Sequence, residues 1–261
     1  MIASTGPACE GGEIVLSVPS YGGSSVSYEW SHNGNLLSGI TGVTGERTNE
    51  LVINPVSSTH VGDYTVAIVV DGCELDSDTY DLEVFDQPTA LANATSSDIC
   101  EGGELSLTAN STNATTFSWT GPNGFSSNAE NPVISNVTVA NNGGYTVEVT
   151  SANGCKAVSS VVVTNILPGV ETPNITTNSP VCEDENIVLN ILQSYNGSVS
   201  YTWTNGAGTN IGSGSSVTIG ANAADAISPY VVQVTVDGCT CLLYTSPSPR
   251  DRTRSRMPSS A

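Results

Sequence analysis

Tyr145 to Cys155 reads YTVEVTSANGC, and the reading of this stretch decides the fold. Tyr145, Val147 and Val149 alternate with Thr146, Glu148 and Thr150. A period of two puts the ring and both valines on one face and the polar chains on the other. That is the pattern of an antiparallel strand with one buried and one wet side. The run opens on a tyrosine and closes on Gly154-Cys155. The same grammar occurs twice more. YTVAIVV from Tyr64 leads to Gly72-Cys73, and YVVQVTV from Tyr230 leads to Gly238-Cys239.

Working outward, each such strand is preceded by the same features in the same order. CEGGEIVLSV begins at Cys9, CEGGELSLTA at Cys100 and CEDENIVLNI at Cys182. An aromatic-x-Trp follows each: Tyr28 with Trp30, Phe117 with Trp119, Tyr201 with Trp203. Ile53, Ile134 and Ile219 each precede the strand-opening tyrosine by the same interval. Internal repetition at domain spacing is the signature of an array of similar modules. Repeat one is expected over residues 1–86 with its start cut, repeat two over 87–168, and repeat three over 169–240 with its last strand missing. The proline-bearing DQPTA (Asp86–Ala90) and LPGVETP (Leu167–Pro173) are the linkers. Short strands of period two, separated by NG, DG and GPNG turns, predict an all-β antiparallel sandwich for each repeat.

The composition agrees with this class. Of 261 residues, 26 are glycine and only 12% are charged. Six basic residues face 25 acidic ones, for a net charge of -19. Such a balance argues against DNA or RNA as a partner, because phosphate binding needs lysine and arginine. It also disfavours anionic lipid. No apolar run reaches the roughly 18 residues that a membrane-spanning helix needs, so no membrane insertion is expected of these residues.

With a Trp on the third strand and a Tyr opening the sixth, the pattern resembles an immunoglobulin-like sandwich with its tyrosine corner. The stretch SWTGPNGFSSNAENPVISNVTVANNGGYTVEVTSANGC of repeat two is similar to the tandem Ig-like and PKD-like repeats of Bacteroidota cell-surface proteins, among them adhesins linked to gliding and type IX secretion. The resemblance implies tandem immunoglobulin-like sandwiches in an extracellular or cell-surface protein. It implies a core built on Trp30, Trp119, Trp203, Tyr64, Tyr145 and Tyr230. It also implies adhesive or spacer modules that meet an unknown surface ligand, glycan or protein.

The cysteines depart from the antibody pattern. Cys73, Cys155 and Cys239 lie just past the turn after the tyrosine strand, and Cys9, Cys100 and Cys182 precede the second strand. A disulfide needs Cα atoms within about 7 Å. Within an Ig-like repeat these two positions are about 20 Å apart, one strand length. Two pairings stay open. One is staggered between repeats, Cys9 with Cys155 and Cys100 with Cys239, leaving Cys73 and Cys182 for other neighbours. The other joins the cysteines within each repeat. Either fits an oxidising compartment.

The last stretch, CLLYTSPSPRDRTRSRMPSSA from Cys241, carries four of the six basic residues. Its residues back-translate to a transposase-type sequencing adapter in one frame. Cys241–Ala261 is therefore read as a translated adapter, unstructured and outside the array. The opening MIASTGPAC aligns inside the first strand of a repeat, so no signal peptide is expected within it.

No enzyme is expected. GxSxG, HExxH and P-loop motifs are missing, and the cysteines lack the close spacing of zinc ligands. His32 and His60 read as residues of separate loops with no echo in the other repeats. Glu74, Asp76 and Asp78 in CELDSDTYDLEVFD alternate along one strand, where carboxylates could hold Ca²⁺. Repeat two lacks them, and a solvated edge is the simpler reading. The three tryptophans could serve as sugar-stacking platforms in a carbohydrate-binding accessory module of a secreted hydrolase, but their fixed strand position favours the core. Asn-x-Ser/Thr at Asn93, Asn110, Asn113, Asn136, Asn174 and Asn196 reads as turn and edge chemistry.

Overall fold

The computed structural model describes residues 1–75, 78–95, 98–178, 181, 185–220 and 229–245. Repeat one holds β1 (Ala3–Ser4), β2 (Ala8–Cys9), β3 (Ile14–Ser17), β4 (Val26–His32), β5 (Asn35–Leu36), β6 (Val43–Thr44), β7 (Glu50–Ile53), β8 (Gly62–Val70), β9 (Cys73–Leu75), β10 (Thr79–Leu82) and β11 (Val84–Phe85). Repeat two holds β12 (Leu91–Ala94), β13 (Asp98–Cys100), β14 (Glu104–Asn110), β15 (Ala114–Thr120), β16 (Ser126–Ser127), β17 (Val133–Ser135), β18 (Gly143–Ser151), β19 (Lys156–Val158) and β20 (Val162–Leu167). Repeat three holds β21 (Ile175–Thr177), β22 (Ile187–Ile191), β23 (Val199–Thr204), β24 (Asn210–Gly212), β25 (Ser216–Ile219), β26 (Tyr230–Val236) and β27 (Cys239–Thr245). The chain groups into two compact units: residues 1–95, 106–133 and 143–163 form the first, and 96–105, 134–142 and 164–261 the second.

In the first unit, repeat one is a two-sheet sandwich. One sheet has the order β1-β3-β7-β6, the other β10-β8-β4-β5 with β9 also on β8. This is the strand arrangement of immunoglobulin-like domains. Its opening strand is divided. β1 pairs β3 antiparallel, whereas β2 crosses to pair β11 parallel, with Ala8 opposite Val84 and Cys9 opposite Phe85. Alternation decides which side chains meet. In β8, Tyr64, Val66 and Ile68 point inward, as do Ile14 and Leu16 in β3 and Leu51 and Ile53 in β7. They enclose Trp30, which is fully buried and donates its indole N–H to the Thr48 carbonyl at 2.9 Å. Satisfying that one polar atom lets the largest side chain sit in the interior without a desolvation penalty.

The repeated CEGG is turn chemistry. Gly11 adopts φ +77° and donates its N–H to the Val56 carbonyl at 2.7 Å. Gly12 donates back to Cys9 at 2.9 Å. Gly102 and Gly103 repeat both bonds, to Val137 at 2.7 Å and to Cys100 at 2.9 Å. A side chain at the first of each pair would strain the left-handed backbone.

From repeat two, the first unit also contains β15, paired antiparallel with β16 and β18, and β19 on β18. Trp119 and Tyr145 are fully buried. On the wet face, Glu148 accepts from the Lys156 ammonium at 2.8 Å across the β18–β19 pair.

In the second unit, β13 pairs β20 in parallel, the counterpart of β2 with β11. Repeat three has sheets β21-β22-β25 and β24-β23-β26-β27. Ile187, Leu189, Val232 and Val234 surround the buried Trp203, whose indole donates to the Gly214 carbonyl at 2.9 Å. Repeats one and three are each a two-sheet sandwich, and the chain is all-β, of tandem immunoglobulin-like antiparallel sandwiches.

Two expectations need correction. Repeat three does not lack its last strand, and the residues from Cys241 are not wholly unstructured. β27 pairs β26 along its full length, from Val236 opposite Cys239 to Tyr230 opposite Thr245. The turn explains this. Asp237 and Gly238 have φ of 50° and 92°, the left-handed pair that a two-residue hairpin needs. Cys-Leu-Leu-Tyr-Thr then meets an open strand edge, which accepts any chain of strand-forming residues. Leu243 packs on the repeat's core. The rest of the tail, 246–261, lies outside the described residues.

Candidate functional site

The residues that distinguish this array from a plain set of sandwiches are its cysteines. Cys9 is bonded to Cys155 with Cα atoms 5.7 Å apart, and Cys100 to Cys239 at 5.5 Å. Both bonds are staggered between repeats. Each joins an opening-strand cysteine of one repeat to the cysteine at the hairpin tip of the next. The topology explains why. β2 and β13 carry their cysteines to the end where β11 and β20 finish, whereas the tip cysteine follows the outgoing end of the tyrosine strand. Cys155 is fully buried, and its N–H donates to the Ser151 hydroxyl at 3.1 Å. Pro7 lies against the same tip, 3.4 Å from where a Cβ on Gly154 would sit. Cys73 is exposed with a free thiol, and Cys241 is a partly exposed thiol. Cys182 lies outside the described residues.

The loops closed are long, with sequence separations of 146 and 139. In the chain-entropy description each alone is worth about 5 kcal/mol against the unfolded chain. The two loops overlap between Cys100 and Cys155, so their effects are not additive.

A second cluster was only half legible. His32 and His60 do not sit in unrelated loops: His32 ends β4, and His60 ends a 3-10 turn over Ser58–His60. They converge on Tyr64. Its buried hydroxyl donates to the His60 carbonyl at 3.0 Å, and the His32 ring stacks on it at 4.6 Å. His32 Nε2 donates to the Val61 carbonyl at 3.0 Å. His60 Nδ1 accepts the Ser57 N–H at 3.0 Å and caps the turn. Burial, then the neighbouring His32, hold the His60 pKa below its ordinary value. Burial pushes the Tyr64 phenol up to about 12. A neutral imidazole engaged in capping and a phenol kept protonated form a structural corner. The signal for it is the offset: His60 precedes Tyr64 by four residues, as Asn141 precedes Tyr145.

The acidic run does not form one strand face. Glu74 is on β9, Asp78 precedes β10 and lies 2.5 Å from the Met1 ammonium, and Asp76 lies outside the described residues. Among the described residues, no group of three or more His, Cys, Asp or Glu is placed to hold a metal. Trp30, Trp119 and Trp203 are all buried and present no indole face to a ligand. Asn113 and Asn136 occupy left-handed turn positions, with φ of 61° and 54°. A shallow groove of about 320 Å³ runs between the Leu167–Glu171 linker and Tyr195, whose hydroxyl donates to the Glu171 carbonyl at 3.0 Å. Among the described residues, no helix is long and apolar enough to cross a membrane.

Fold and joins together define a class: tandem immunoglobulin-like modules stapled across their repeats. No family model and no curated protein sequence matches the chain. Among solved structures, it is similar to the three N-terminal domains of the bacteriophage RB49 Highly Immunogenic Outer Capsid protein, with 16% identity over 92% of this chain and 93% of that one, TM-score 0.34. It is also similar to a chain in the complex of the mouse coronavirus receptor-binding domain with its murine receptor, with 15% identity over 64% and 99%, TM-score 0.40. A third is the amphioxus IgVJ-C2 molecule, with 22% identity over 59% and 97%, TM-score 0.27.

Proposed function

We propose that this chain is a stretch of stalk or adhesive modules in an extracellular, cell-surface protein. The observation that carries this reading is the pair of overlapping inter-repeat disulfides. Such bonds persist in oxidising surroundings and are rare where glutathione and thioredoxin keep thiols reduced. Their overlap suits a part that bears load. Once the sandwiches unfold, the shortest covalent path from Cys9 to Cys239 runs through about 55 residues instead of about 230, at about 3.5 Å each. Partners follow from the same surface. An acidic array with polar strand faces meets its ligands at loop tips, where a sandwich is free to vary. The ligand class is a protein or glycan of another surface.

Pulling single molecules from both ends tests the load-bearing role. The oxidised chain is expected to stop short, and reductant to lengthen its full extension by roughly 600 Å. Equal extension with and without reductant would remove the reason for assigning the staples to load.

A further inference from the structure

We infer that the tip of repeat one at Asp71-Gly72-Cys73 is a docking site for the cysteine-bearing opening segment of another module of this repeat type, placed ahead of repeat one and joined through Cys73. The argument rests on a comparison within the molecule. Repeat three has the same tip at Asp237-Gly238-Cys239. Asp71 and Asp237 both have φ of 50°, and Gly72 and Gly238 have φ of 82° and 92°. Asp71 Oδ1 accepts the Ser25 N–H at 2.8 Å, and Asp237 Oδ1 accepts the Ser198 N–H at 2.8 Å. The return bonds match as well, Asp71 N–H to Ser25 and Asp237 N–H to Ser198, at 2.8 and 3.0 Å. Val70 lies opposite Cys73 as Val236 lies opposite Cys239.

The two tips differ in occupancy. Cys239 is 1% exposed and bonded to Cys100, whereas Cys73 is exposed and free. The tip of repeat two is filled too, by Cys9, with Pro7 against Gly154. At Gly72, as at Gly238, a Cβ would meet nothing within 4 Å, so the two tips share the same backbone frame and differ in their cysteines. Two of the three tips thus hold an opening segment, always from the repeat that comes before, and the third offers the same frame uncovered. This site stands whether or not the array serves as a stalk.

The bond forms by thiol oxidation. Cys73 and the incoming cysteine each give up one proton and one electron, and a new Sγ–Sγ bond forms. Oxidised glutathione takes both electrons and both protons, its own S–S bond breaks, and two molecules of reduced glutathione leave.

The test extends the full chain ahead of Met1 with a copy of residues 87–173, so that Met1 takes the place that Asn174 holds after repeat two. Ile99→Val marks the copy. After refolding with a glutathione redox pair, non-reduced peptide mapping is expected to show the marked cysteine bonded to Cys73, beside intact Cys9–Cys155 and Cys100–Cys239. Cys73 should then resist alkylation, whereas in the unextended chain, where the thiol is free and exposed, it should react. Adding Cys73→Ser should leave the marked cysteine alkylatable. The proposal is overturned if the marked cysteine bonds within its own copy, or if Cys73 stays alkylatable while the two native bonds form. Should this extension disturb the native bonds, a copy of residues 1–91 marked by Ile14→Val puts Met1 where Ala92 stands after repeat one, and the same two outcomes decide for its marked Cys9.

Discussion

Repeats one and two prepare their tyrosine strands with the same backbone and different side chains. Ser57 to His60 forms a capped 3-10 turn before β8, and Thr138 to Asn141 forms one before β18. In the first, His60 Nδ1 accepts the Ser57 N–H at 3.0 Å; in the second, Asn141 Oδ1 accepts the Thr138 N–H at 2.9 Å. Gly62 and Gly143 follow with φ of 135° and 134°. An imidazole and an amide are interchangeable here because the turn asks only for one acceptor at the right reach. They differ in what protons do to them. The geometry belongs to the repeat, and the titration belongs to repeat one alone.

Removing the indole is the largest perturbation and tests the equivalence itself. Trp30→Ala and Trp119→Ala should each cost about 3–5 kcal/mol, the usual range for a buried Trp. Hydrogen exchange of β8 and β18 amides reads each repeat separately. If Trp30→Ala leaves β8 protected while Trp119→Ala exposes β18, the two cores are not counterparts.

Next in size is the glycine ahead of each strand. A Cβ at Gly62 would lie 2.4 Å from Asn33 Oδ1, and one at Gly143 2.9 Å from Pro122 Cγ. Both backbones are in the left-handed region, so Gly62→Ala and Gly143→Ala should each cost about 1–3 kcal/mol. Repeat one should lose more, because Asn33 Oδ1 also accepts the Asp63 N–H at 3.0 Å and must move. A larger loss in β18 protection than in β8 would show that the proline ring is the stiffer obstacle.

The smallest effect sharpens the contrast most. The folded state holds His60 below its ordinary pKa. As pH falls below about 6.5, the unfolded chain takes up the proton first. Stability from the neutral ring is whole above that pH and is lost as pH falls toward the folded pKa. His60→Asn, which copies repeat two, should flatten β8 protection between pH 7 and 5. Identical slopes in the two proteins would mean that His60 does not couple to the fold. β18 should show no such dependence in either.

Much of this was legible because it is local. The alternation in Tyr145–Val149 and the spacing from Ile53 to Tyr64 need only neighbouring residues to be read. The histidine cluster was not, because His32 and His60 meet only once β4 pairs β8 and brings His32 opposite Tyr64. The strand after Cys239 was missed for a related reason. Its pairing depends on an open edge of β26, and the residues after Gly238 do not resemble those of the other repeats.

What the order of amino acids determined by itself was the period of two, the threefold repetition, the turn positions of the glycines and the sandwich class. These follow from steric preferences and from which side chains avoid water. Only the tertiary structure decided which cysteines meet, since that depends on which ends of distant strands packing brings within reach of one S–S bond.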